Sequence, residues 1–175
     1  MLWRKPYLLI CKMRTWYKLT KQVLFISIVI LSMLMLLLLG LVTFDQNTAW
    51  FATLEIPSIQ PSSFVIITVW TLIYIMIAIS VIIVLGAPKE QSRHKTMAIS
   101  LFLINGILNG MYSILFFGMQ SLLFAFAELP LLIASIVLLI MCTFKINKVA
   151  SYLLIPYLVW VCFAAVLTGM TLFMN

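Results

Sequence analysis

The sequence predicts an all-α membrane protein, a five-transmembrane-helix bundle with a cytoplasmic N-terminus and an extracytoplasmic C-terminus. Three observations lead there. Hydrophobic residues make up 65% of the chain and charged residues 9%, with a mean hydropathy of +1.23, which leaves too little polar surface to cover a soluble globule of 175 residues. The apolar residues gather in continuous stretches near 23–44, 64–85, 97–117, 121–144 and 151–173. Each is close to the roughly 20 residues that a helix rising about 1.5 Å per residue needs to cross about 30 Å of hydrocarbon. Finally, all 11 lysines and arginines fall on one side of that arrangement. Short loops rich in positive charge stay cytoplasmic, which orients the chain.

In chain order, residues 1–22 form a basic extension carrying Arg4, Lys5, Lys12, Arg14, Lys18 and Lys21 among Trp3, Tyr7, Trp16 and Tyr17. This mix suits an anionic inner leaflet or a plain positive-inside anchor. The run at 23–44 is longer than a secretory h-region and has no small-residue cleavage site, so it is expected to be the first span of a membrane domain covering 23–175. The loop 45–63 has no basic residue and contains Trp50, Phe51, Pro57 and Pro61. Its prolines restrict the backbone, which suits a folded-back lid as well as an aromatic external turn. Lys89, Arg93 and Lys95 lie between the second and third spans, and Lys145 and Lys148 between the fourth and fifth. Continuous rather than alternating apolar runs exclude a transmembrane barrel. The net charge of +7 sits in segments flanking apolar runs, so lipid and topology account for it and no nucleic-acid partner is expected. Cys11, Cys142 and Cys162 share no metal-ligand spacing, so neither a metal site nor a disulfide framework is expected.

Polar groups inside spans mark what a bundle is built to hold. Asn105, Asn109 and Tyr112 follow an i, i+4, i+7 spacing and share one stripe of the third span, as interhelical glue or as ligand contacts. Trp70 and Tyr74 on the second span and Trp160 and Ala164 on the fifth are i, i+4 pairs. At helical rise Trp70 lies roughly 9 Å below the outer end of its span, Asn109 about 12 Å, Ala164 about 14 Å, Tyr74 about 15 Å and Trp160 about 20 Å. Aromatic and amide groups thus meet in the outer half of the membrane, as a chamber for a flat hydrophobic ligand requires. Gly106 and Gly110 form a G-x-x-x-G about 100° around the third span from the asparagines, suited to a helix–helix contact either between two copies or within one. Glu128 and Pro130 are expected to interrupt the fourth span, with Glu128 a satisfied structural carboxyl or else a proton-coupling group.

Four segments resemble the TspO/MBR family of tryptophan-rich sensory proteins and translocator proteins. WFATLEIPSIQPSSF resembles its loop pattern through Trp50, Phe51, Leu54, Pro57 and Pro61; VWTLIYIMIA at 69–78 is similar to its V-W-T-x-L-Y signature. LNGMYSILFFG at 108–118 and LLIPYLVWVCFA at 153–164 resemble two further family segments. The resemblance covers roughly 48–175. It implies five transmembrane helices, often paired as homodimers, and a receptor or sensor for porphyrin-like tetrapyrroles such as protoporphyrin IX or haem. The ligand pocket it implies comprises Phe51, Trp70, Tyr74, Asn109, Tyr112, Trp160 and Ala164, with Trp50, Pro57 and Pro61 in a lid. Light-dependent porphyrin breakdown and transport of lipophilic ligands stand as alternatives. No cofactor is required, and the only histidine, His94, lies about 30 Å from the pocket, too far for an axial haem ligand. Several positions depart from the family pattern: Ile56 and Ile59 replace a loop lysine and tryptophan, Ser62 a proline, Tyr112 a tryptophan and Asn105 a glutamine. The C-terminal VLTGMTLFMN has no counterpart of the sterol-recognition segment of animal members. A bacterial member, in the cytoplasmic membrane, is implied.

Overall fold

A computed structural model describes residues 48–88 and 92–175, and these are helical apart from short connections. The expected basic extension 1–22 and first span 23–44 lie outside the described residues. A short turn, α1 (Thr48–Phe51), precedes α2 (Ser63–Gly86), α3 (Ser92–Ser113), α4 (Leu122–Phe144), α5 (Lys148–Tyr152) and α6 (Ile155–Met174). A wider π turn, Ile114–Gly118, extends α3. Among the described residues, four helices are long and apolar enough to cross a membrane: Ser63–Gly86, Arg93–Gly118, Leu122–Phe144 and Lys148–Met174.

Two of the expected spans, 64–85 and 121–144, agree with their helices within a residue or two at each end. The third begins at Ser92 instead of 97, because hydropathy marks where a helix turns apolar rather than where it starts. Its polar first turn braces the preceding helix, since the Lys95 ammonium donates to the Leu85 carbonyl at the end of α2. Such a cation satisfies one of the carbonyls left over at a helix C-terminus. The fifth span is two helices. Pro156 lies in the first turn of α6, where its missing N–H costs no bond, and it sets the boundary with α5. The Leu154 N–H turns to the Ser151 carbonyl at 3.0 Å, and Ser80 on α2 donates to the Ala150 carbonyl at 2.8 Å.

The fourth span departs most from expectation. It runs unbroken from Leu122 to Phe144 through Pro130. Proline removes one helical hydrogen bond, and the packed helices around it hold the remaining turns in place. α4 is the central helix, packed on both α3 and α6. Its Leu129, Leu132, Ile136 and Leu139 form one core with Ile73, Ile77 and Val81 of α2 and Tyr157 and Val161 of α6. The outward faces are equally apolar, with Ile107, Leu131, Val159 and Phe173 exposed. A lipid-facing surface has this character, and specificity among the helices therefore falls to the polar groups between them.

Candidate functional site

The i, i+4 spacing of Trp70 and Tyr74 brings their rings together on α2, with centroids 5.6 Å apart and planes 27° from parallel. Trp70 also meets the ring of Tyr157 on α6 edge-on at 6.2 Å. Between the two phenols lies Asn109 of α3. The Tyr74 hydroxyl donates to Asn109 Oδ1 at 3.1 Å, and Asn109 Nδ2 donates to the Tyr157 hydroxyl at 3.1 Å. One amide thus ties three helices, and Tyr157 and Asn109 are both buried. Interhelical bonds of this kind contribute about 0.6 kcal/mol each on average in a bilayer. The amide keeps one N–H and one lone pair for a further partner.

The same stripe continues in both directions. One turn toward the basic end, Asn105 Nδ2 donates to Ser135 Oγ of α4 at 2.8 Å, and Ser135 donates to the Leu132 carbonyl at 2.7 Å. Toward the first loop, the Tyr112 and Thr168 hydroxyls are bonded at 2.8 Å. Tyr112 stacks on Phe116 at 5.8 Å, and Phe116 carries the first loop: Trp50 meets it edge-on at 5.7 Å and Phe51 at 6.4 Å. Phe51 also contacts Phe117 at 6.5 Å. A continuous aromatic series therefore runs from the loop to Tyr112. Pro57 is buried and Pro61 half-buried. The loop is fastened at its far side by Asn175, whose side-chain oxygen accepts from the Glu55 N–H at 2.9 Å while its nitrogen donates to the Glu55 carbonyl at 3.0 Å.

Trp70, Tyr74, Asn109 and Tyr112 are brought into this network, and Phe51 joins it through Phe116. Trp160 and Ala164 are half-buried on α6; the ring of Trp160 packs against the core and meets Phe163 at 5.5 Å. Gly110 is buried, whereas Gly106 is half-buried and a Cβ there would meet nothing within 4 Å among the described residues. Sequence reasoning passes over Tyr157, Thr168 and Phe116 as site residues. Tyr157 and Thr168 carry a legible signal, since with Val161 they follow i, i+4, i+11 along α6.

Glu128 corrects an expectation. It is 4% exposed, and among the described residues neither carboxyl oxygen has a hydrogen-bond partner. The sequence suggests a satisfied carboxyl because Pro130 frees backbone groups. What a proline frees, however, is the carbonyl four residues earlier, here Phe126, which is an acceptor and cannot serve a carboxylate.

The sequence between 25 and 173 matches the model of the TspO/MBR family. The chain is 36% identical to the tryptophan-rich protein TspO of Chlorobaculum tepidum over 135 residues, 76% of this chain and 85% of that protein. It is 34% identical to the protein of the same name from Bacillus cereus over 127 residues, 73% of this chain and 81% of the relative. Similarity extends to the translocator protein of Ovis aries, at 26% over 122 residues, covering 70% and 72% of the two chains.

Proposed function

Given that this chain belongs to the TspO/MBR family, we propose that it is a membrane receptor or sensor for flat, largely hydrophobic ligands of the porphyrin-like tetrapyrrole type. It is a multi-pass membrane protein, and its bacterial relatives support a place in the bacterial cell membrane. The observation that carries the reading is the convergence of Trp70, Tyr74 and Tyr157 on the Asn109 amide, beneath a loop whose aromatic rings pack on Phe116. Aromatic faces bind a macrocycle by stacking, while the remaining amide groups orient one polar edge. No haem-ligating side chain enters the reading, and binding would depend on the ring faces. Protoporphyrin IX titrated into the full chain in detergent should quench tryptophan fluorescence saturably. A Trp70→Ala, Trp160→Ala double variant that shows the same midpoint as the wild type would sink this assignment.

The homodimer belongs to the same proposal. Gly106, with open space where a side chain would stand, lies beside the exposed Leu103 and Ile107, so a second helix can approach this face closely.

A further inference from the structure

We propose that Glu128 makes the chamber selective for flat apolar ligands bearing a cationic or N–H donor nitrogen, and disfavours those presenting a carboxylate. The inference rests on the chamber reading above and names the ligand chemistry it selects.

The position of Glu128 follows from helix register. α3 and α4 are antiparallel, and Asn105 bonds Ser135 across them. Seven residues along α3 and seven back along α4 bring Tyr112 opposite Glu128. α6 closes the same layer: Thr168 bonds Tyr112, and Gly169 lies so close to Phe126 that a Cβ there would stand 2.9 Å from the ring. Glu128 therefore belongs to the layer between the aromatic loop and the Asn109 network.

That layer is rich in acceptors. It holds two carboxyl oxygens without partners among the described residues and the Phe126 carbonyl, which lacks a helical donor because of Pro130. Of the two hydroxyl hydrogens on Tyr112 and Thr168, one is used in their mutual bond. Among the described residues no lysine or arginine shares this layer: Arg93, Lys95, Lys145 and Lys148 lie at the other end of the spans. Burying a carboxyl without a donor is costly, and among the described residues none donates to Glu128. A ligand nitrogen that donates a hydrogen bond, above all a cationic one, completes the site; a ligand carboxylate is repelled. A tetrapyrrole would accordingly turn its carboxylate edge away from Glu128.

Three pyrene probes of one shape test this: pyrenylmethylammonium, uncharged pyrenylmethanol and pyrene carboxylate. Each is titrated into the full chain in dodecyl maltoside micelles, with energy transfer from tryptophan as the signal and empty micelles as reference. The expected result is binding of the ammonium at least tenfold tighter than the alcohol, with the carboxylate weakest. Glu128→Gln should remove that preference and leave alcohol binding within twofold; Glu128→Asp should retain it. An equal affinity of the wild type for ammonium and alcohol overturns the proposal without any variant, as does a preference that survives Glu128→Gln. The alcohol separates the two readings, because it needs the chamber and not the carboxyl. If Trp70→Ala leaves alcohol binding unchanged, or if no probe binds saturably, the chamber reading fails and this inference with it.

Discussion

Tyr74 donates its hydroxyl hydrogen to the Asn109 amide oxygen across 3.1 Å, and this bond joins the second-span aromatic pair to the third span. The amide hydrogen that Asn109 passes on to Tyr157 makes the asparagine the shared member of two contacts. Replacing it by alanine leaves the buried Tyr157 and the half-buried Tyr74 without their shared partner. Thermal unfolding in detergent should then show a loss of about 1–3 kcal/mol. Tyr74→Phe removes only one bond and should cost under about 1 kcal/mol. Equal losses for the two variants would show that Asn109 does not join the helices in this way.

The pairing of Asn175 with the Glu55 backbone predicts a kinetic effect. The side chain takes both the N–H and the carbonyl of an exposed loop residue, between the Trp50 and Phe51 contacts on one flank and the buried Pro57 on the other. In Asn175→Ala the loop should open more often, and the dissociation rate of a bound porphyrin should rise several-fold. Stopped-flow displacement measures it; an unchanged rate would show that the loop does not retain the ligand.

Gly169 predicts a packing effect. A Cβ would come within 2.9 Å of the Phe126 ring, so Gly169→Val must push α6 away from α4 or displace the ring. Overpacking of this kind costs roughly 1–3 kcal/mol. Thr168 adjoins the glycine, so the Tyr112–Thr168 bond should lengthen as well. Thermal unfolding checks the first consequence. A Gly169→Val variant as stable as the wild type would mean that the two helices adjust freely.

Pairing of two copies through the third span predicts that Gly106→Leu weakens crosslinking in native membranes while leaving ligand affinity within twofold. Among the described residues, the added side chain meets no atom within 4 Å of its Cβ. A crosslinked dimer as abundant as in the wild type would place the interface elsewhere.

The described spans are legible because lipid imposes length and hydropathy on them, and the stripes because helical periodicity places i, i+4 and i+7 residues on one face. Trp70, Tyr74, Asn109 and Tyr112 emerge that way. The partners across the bundle do not, because periodicity places residues within one helix and leaves the rotation of its neighbours open. Tyr157 and Thr168 become partners only once α6 is set against α3. Helix ends obey hydrogen bonding rather than hydropathy, as the early start of α3 and the division at Pro156 show. The uninterrupted course through Pro130 and the unpartnered Glu128 have one origin: among the described residues, neighbouring helices hold the backbone without providing the carboxyl a donor.

The central claim is that ligand binds against the inward rings and not on the lipid-facing surface. Soret-band titration of protoporphyrin IX against wild type, Trp70→Ala and Phe173→Ala tests it most directly, since Phe173 is an aromatic residue left 88% exposed. Trp70→Ala should weaken binding at least tenfold and Phe173→Ala by less than twofold. Equal effects of the two substitutions, or a larger one at Phe173, would contradict the account.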